Sequence, residues 1–321
     1  MTNQPRLRVA VPSPAFCEHP VLRDELLRLY PDAKLNTELR PLSGPTLVEF
    51  LRGYDVAIVA LEKMTEAVIS ELPELKVISK LGTGVDMIDP LAMARRAIRL
   101  GWKPGANALS IAELVIGFAT LALRQMGSLN QQMRNNAEIH NRMGRLLSGR
   151  VFGLHGCGHI GQHVVRLLSP FGCTVLAHDL ADRSAFFSQH GVRAVSFDQL
   201  LERSEILSIH VPLTQQTENL YGAFQLGRLR PDCILINTAR GELVDEQALY
   251  EVLSTGRLFA ACSDVFRGET SFTSKLVALP NFFGTPHIGG SAAEARLAMG
   301  RIAIEGILDN FVPVPGTHPF D

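Results

Sequence analysis

The segment Val151 to Asp179, VFGLHGCGHIGQHVVRLLSPFGCTVLAHD, constrains this chain more tightly than any other stretch. It opens on an apolar run, Val151 to Leu154, of strand character, and continues with Gly156, Gly158 and Gly161 in the spacing G-x-G-x-x-G. Gln162 to Ser169 then places Val164, Val165, Leu167 and Leu168 on one helical face before Pro170 stops it. A second apolar run, Cys173 to Ala177, ends in Asp179. Strand, glycine turn, helix, strand and acid, with the acid ~20 residues beyond the first glycines, is the order a dinucleotide site requires. The glycines let the backbone turn tightly and approach a pyrophosphate. The helix N-terminus then offers unpaired N–H groups and partial positive charge. A carboxylate at Asp179 suits ribose hydroxyls and repels a 2′-phosphate, so the expected cofactor is NAD, with Arg183 nearby weakening that preference.

With 321 residues the chain is long enough for two cores. The formal charge of −1 and the absence of a basic block give no footprint for nucleic acid. Cys17, Cys157, Cys173, Cys233 and Cys262 are scattered without metal-ligand spacing, so no metal site is expected and the thiols read as reduced. The longest apolar stretch, Leu114 to Leu123, falls short of the ~20 residues of a membrane span. A soluble cytoplasmic protein is expected, with no membrane partner.

Ahead of the glycine motif, strand signals at Leu7 to Val11, Val56 to Ala60 and Leu75 to Ser79 alternate with helical ones at Val21 to Leu29 and Thr65 to Leu72. That alternation implies a first parallel sheet covered by helices. Gly82 and Gly84 flank Thr83 in a turn that either presents N–H groups to a small anion or simply reverses the chain. Ser110 with Glu113, and Ser291 with Glu294, read as capping boxes opening helices.

After the motif, strand signals end in Val211-Pro212, in Asn237-Thr238-Ala239-Arg240, in Asp264 and in Thr285-Pro286-His287. Ligands of open α/β sheets sit outside the carboxyl ends of the strands. Arg240, the pair Asp264 and Glu269, and His287 follow three such ends. An arginine can hold a carboxylate bidentately. A histidine can pass a proton to or from a carbonyl oxygen, and a carboxylate against it orients the ring and favours imidazolium. That is the equipment for NAD-linked hydride transfer on a carboxylate-bearing substrate.

The segments LGTGVDMID, PGANALSIAEL, GCGHIG, HVPLT, INTARGELVDEQAL, SDVFRGE and LPNFFGTPHIGG also resemble, in order and spacing, the D-isomer-specific 2-hydroxyacid dehydrogenase family. Within it the chain is most similar to phosphoglycerate dehydrogenases and their short relatives. The resemblance implies an α/β fold of two Rossmann-like, doubly wound parallel-sheet domains. Residues 1–103 form a substrate domain completed by 291–321, and residues 104–290 an NAD-binding domain. It implies Arg240, Glu269 and His287 as catalytic residues. The implied cofactor contacts are Thr83, Gly156, Gly158, His159, Ile160, Gly161, Asp179, Val211, Pro212, Thr217, Thr238, Ala239, Asp264 and Gly289. The implied substrate contacts are Gly82, Thr83, Gly84 and Asn107, besides Arg240 and His287. A homodimer reducing a 2-oxo acid to a D-2-hydroxy acid is expected. An NAD(H)-sensing binding protein or corepressor-like scaffold of the same fold is the alternative.

Three features depart from the family pattern. His159 stands where the family has arginine, and His155 where it has an apolar strand residue. The loop Leu61 to Met64 lacks the arginine that phosphoglycerate-specific members offer to a phosphate, which leaves Lys63 or Lys80 to supply that charge.

Overall fold

The computed structural model describes residues 7–136, 138, 143–269 and 273–317, with Glu269 described in its backbone alone. The chain divides into two compact units, residues 1–107 with 292–321, and residues 108–291.

The first unit is built on a parallel sheet of five strands, β1 (Val9–Val11), β2 (Lys34–Leu35), β3 (Val56–Val59), β4 (Val77–Lys80) and β5 (Arg99–Gly101), in the order β2-β1-β3-β4-β5. β1, β3 and β4 are buried on both faces and so read as apolar runs without alternation. The helices Gly44–Leu51 and Pro90–Arg95 contribute Leu47, Leu51 and Met93 to the core on one face. The helix Pro20–Leu29 and the returning helix Ala293–Glu305 cover the other, where Leu22, Leu26, Ala303 and Ile304 pack on Val9, Val56 and Val77. Fully burying a side chain of this size contributes about 1.5–3 kcal/mol. The return is fastened by Ser79, whose hydroxyl donates to Ala303 O at 2.6 Å, and by paired amide bonds between Leu100 and Phe311. Gly101 and Gly306 permit that approach, since a Cβ at Gly101 would overlap the Gly306 backbone.

The second unit carries seven parallel strands: β6 (Val151–His155), β7 (Thr174–His178), β8 (Arg193–Ala194), β9 (Ile206–Ile209), β10 (Ile234–Asn237), β11 (Ala260–Ser263) and β12 (Phe282–Gly284). Their order is β12-β11-β10-β9-β6-β7-β8. From β6 the chain winds outward through β7 and β8, then returns to β9 on the other side of β6 and winds the opposite way. The β6/β9 junction is therefore the topological switch point, where such sheets bind ligands. The helix Ala108–Leu123 lies on the sheet with Ala112, Val115, Ala119 and Ala122 fully buried. Among the described residues no single helix is long and apolar enough to cross a membrane.

The expected α/β architecture of two parallel sheets is present. Both capping boxes are corrected. The helix Ala108–Leu123 starts two residues before Ser110, whose hydroxyl donates to Gly289 O at 2.6 Å instead. The last helix starts at Ala293 with Ala292 as its cap residue and no side-chain cap, so Ser291 lies one position too early. A serine and a glutamate three apart do not establish a cap where tertiary packing sets the first turn. Asp245 does cap its helix, accepting from the amides of Gln247 and Ala248, a contact that contributes ~1 kcal/mol.

Candidate active site

The glycine turn occupies the switch point. Gly156 follows β6 in the left-handed region at φ 91°, and a Cβ there would sit 2.8 Å from His210 O. Gly161 packs as closely on the turn itself, with a virtual Cβ 2.6 Å from Gly156 O. Gly158 caps the helix His159–Leu168, and a Cβ there meets no atom within 4 Å. The first and third glycines are thus needed for internal packing, whereas the second borders open space in front of a helix N-terminus. That space is where a pyrophosphate would lie. His159 and Ile160 form the first helical turn, with His159 exposed.

Asp179 follows β7 and braces the turn: Oδ2 accepts from Cys157 N at 2.7 Å, and Oδ1 from Ala181 N at 2.8 Å. Arg183 Nε stands 3.5 Å from Oδ2. The acid is therefore held at the edge of the cradle with an arginine beside it. Asp179→Ala is expected to narrow the ratio of NADPH to NADH dissociation constants by at least about tenfold, since it removes the repulsion and leaves Arg183 to meet a 2′-phosphate. An unchanged ratio in fluorescence titrations would count against Asp179 as the ribose-reading group.

The opposite wall comes from the ends of β9 and β10. His155 is buried, its Nδ1 2.8 Å from the hydroxyl of fully buried Tyr221. Burial, with His178 adding to it, pushes His155 down to about 4, so the ring is neutral at pH 7. The His210 amide donates to His155 O at 2.7 Å, its Nε2 lies 2.9 Å from Ser208 Oγ, and burial holds it at about 3. His210 Nδ1 and Thr238 Oγ1 are buried without a partner among the described residues. Leaving such atoms unpaired costs about 1–3 kcal/mol each, so a polar ligand at the switch point is chemically suited to them. Beyond Val211 and Pro212, Thr217 closes the loop on itself, its hydroxyl donating to Pro212 O at 2.8 Å and accepting from Thr214 N at 2.7 Å.

The third group sits at the ends of β10, β11 and β12. Asn237 folds the Thr238–Arg240 turn, donating to Arg240 O at 2.8 Å and accepting from Ala239 N at 3.1 Å, while Arg240 Nη1 donates to Ala239 O at 2.7 Å. Asp264 is 1% exposed. Its carboxylate accepts from Thr285 Oγ1 at 2.6 Å, Ile288 N at 2.8 Å and Gly289 N at 2.7 Å, and its carbonyl accepts from His287 N at 2.8 Å. One buried acid thus fixes the loop around His287, which is left-handed at φ 54° with an exposed side chain. A non-glycine residue held there is uncommon and is kept in place here by the contacts of Asp264. Glu269 ends the turn Arg267–Glu269, and its expected pairing with His287 lies outside the described residues.

The first unit holds its own candidates. Gly82 (φ 107°), Thr83 and Gly84 follow β4; Thr83 Oγ1 is 3.3 Å from Asn107 Oδ1, and its carbonyl accepts from Trp102 Nε1 at 3.0 Å. Lys63 is exposed, whereas Lys80 is 3% exposed. The Lys80 ammonium donates to Leu81 O at 2.7 Å and lies 3.3 Å from the Cβ position of Gly82. Of the two lysines, Lys80 is the one placed beneath the glycine loop. Tyr221, Ser208 and His210 were not singled out from sequence. His210 opens the segment HVPLT, but Tyr221 reaches His155 across 66 positions and leaves no local signal.

Residues 116–289 match the model of the D-isomer specific 2-hydroxyacid dehydrogenase NAD-binding domain. The chain is 35% identical over 269 residues to a D-3-phosphoglycerate dehydrogenase of Methanocaldococcus jannaschii, covering 83% of this chain and 51% of that one. It is 34% identical over 271 residues to a hydroxypyruvate reductase of Thermotoga maritima, covering 83% of this chain and 88% of that one. The NAD-complexed D-isomer specific 2-hydroxyacid dehydrogenase of Lactobacillus delbrueckii ssp. bulgaricus superposes with a TM-score of 0.74 at 26% identity, covering 93% and 95% of the two chains. The chain spans about half the length of the phosphoglycerate dehydrogenases it matches.

Proposed function

This chain belongs to the D-isomer specific 2-hydroxyacid dehydrogenase family, and on that premise we propose that it reduces a 2-oxo acid to the D-2-hydroxy acid with NADH, or runs the reverse oxidation. The observation that carries the reading is the arrangement on one sheet edge of the second unit. An open glycine cradle lies at the switch point, and Arg240 and a constrained, exposed His287 follow the ends of β10 and β12, on either side of β11.

In this reading residues 108–291 are the NAD-binding domain and the first unit the substrate domain. NADH supplies the hydride. Arg240 holds the substrate carboxylate with paired N–H donors and polarises the adjacent carbonyl. His287, as imidazolium, gives its proton to the carbonyl oxygen, so that hydride on carbon and proton on oxygen complete the alcohol. Glu269 is the proposed carboxylate partner of His287 in the proton step. Asp264 acts on the reaction by holding the His287 loop. Gly158, His159, Ile160, Thr238, Ala239, Val211, Pro212, Thr217 and Gly289 line the cofactor side, and Gly82, Thr83, Gly84 and Asn107 remain the proposed contacts of the first unit. A homodimer and a cytoplasmic location belong to the same proposal.

The substrate class is open to a direct test. Lys80 beneath the Gly82–Gly84 loop has the chemistry of an anion site, which fits an acid with a second anionic group. NADH oxidation is measured with glyoxylate, hydroxypyruvate, 3-phosphohydroxypyruvate and phosphonopyruvate. The phosphorylated or phosphonylated acids are expected to be preferred, and Lys80→Met is expected to cost them about tenfold or more in kcat/KM relative to glyoxylate. Equal losses on all acids would remove Lys80 from specificity. Failure of every acid with tight NADH binding would favour a cofactor-sensing protein.

A further inference from the structure

Gly241 has no room for a side chain, because a Cβ there would overlap the backbone of Phe266 and Arg267. The segment after Arg240 therefore lies directly against the segment that leads into Glu269. Two carboxylates from the first segment hold successive amides of the second. Glu246 Oε1 accepts from Arg267 N at 3.0 Å, and Glu242 Oε1 from Gly268 N at 3.2 Å. The other oxygen of Glu246 accepts from Ser274 Oγ at 2.9 Å, so one side chain ties residue 267 to residue 274. Gly268 between them is left-handed at φ 67°.

A further strut comes from the Arg267 guanidinium, which reaches Glu218 Oε1 at 3.2 Å and Asn219 Oδ1 at 2.6 Å. Asn219, itself left-handed at φ 51°, donates its amide to Glu242 O at 2.8 Å. The Arg267–Glu218 pair is about half exposed and contributes little alone. The carboxylate-to-amide bonds are charge-assisted and are the stronger part of the brace.

We propose that Glu246, supported by Glu242 and Arg267, is a positioning residue that keeps the turn carrying Glu269 in register with the Arg240–Gly241 backbone. This role rests on the assignment of Glu269 to the proton step. It differs from the role of Asn237, whose side chain folds the Arg240 peptide through Arg240 O and Ala239 N. Glu246 thus bears on the acid–base geometry more than on the carboxylate anchor, and its loss should appear in kcat more than in KM.

The test compares Glu246→Ala and Glu246→Gln with wild type. For Glu246→Ala, kcat is expected to fall about 10- to 30-fold, since a misplacement near 1 Å at a reacting group costs up to ~10²-fold. KM for the oxo acid and the NADH dissociation constant are expected to stay within about twofold. Glutamine keeps one acceptor oxygen and is expected to recover most of kcat. Hydrogen exchange without substrate supplies an independent reading: the Arg267 and Gly268 amides should exchange faster in Glu246→Ala. Any of three results overturns the role: kcat within twofold of wild type, a loss glutamine does not recover, or an equal loss of NADH affinity. A wild-type protein that reduces no 2-oxo acid defeats the functional reading itself, before any substitution is made.

Discussion

His287→Asn is expected to lower kcat by about 10²–10⁴-fold while leaving the NADH dissociation constant within about twofold, the span that a fixed acid–base group contributes. Asparagine is the sharper replacement because residue 287 is left-handed at φ 54°. Asparagine tolerates that region, whereas alanine would add backbone strain to the loss of the ring. The loop stays pinned by Asp264 through Thr285, Ile288 and Gly289, none of which depends on the imidazole. A large fall in kcat with unaltered cofactor binding thus isolates proton transfer. Near-normal turnover would remove His287 from the chemistry.

Arg240→Ala is expected to lower kcat/KM by about 10²–10⁴-fold, through loss of two charge-assisted hydrogen bonds of about 1.5–3 kcal/mol each. Part of the loss should appear as a raised KM, because the carboxylate is held in the ground state as well as in the transition state. Arg240→Lys should recover little, since a single ammonium does not reproduce the planar fork. The turn itself is organised by Asn237, so the alanine variant is expected to melt close to wild type. Steady-state kinetics with circular dichroism melts separates the two effects. A lysine variant with full activity would show that charge alone, without bidentate geometry, is sufficient.

The parts of the molecule that were legible in the sequence share a physical reason. Strands buried on both faces, such as Val56–Val59 and Ile234–Asn237, appear as short apolar runs, and the glycine turn is dictated by close backbone approach. Short strands without such runs left little signal: Lys34–Leu35 and Arg193–Ala194 are only two residues long and sit at sheet edges. Helix starts were misread at Ser110 and Ser291, where packing and a bond to Gly289 O decided the first turn.

At the site, the sequence marks which residues follow strand ends but not what holds them. Asp264 is expected beside the cofactor, but the sequence leaves no sign that its carboxylate also holds the His287 loop, a tertiary contact 21 to 25 positions away. The His155–Tyr221 bond and the Glu246 brace are likewise long-range. His155, an exception to the apolar strand pattern, is accommodated as a neutral ring because a buried hydroxyl meets it.

In the proposed function, exposed His287 and half-buried Arg240 together serve NADH-linked reduction of a 2-oxo acid. The most direct test is to incubate purified protein with NADH and the best acid of the panel that yields a chiral product, then resolve the hydroxy acid by chiral chromatography. One D-hydroxy acid is expected per NADH consumed. The L-isomer, or bound NADH with no acid reduced, would contradict it.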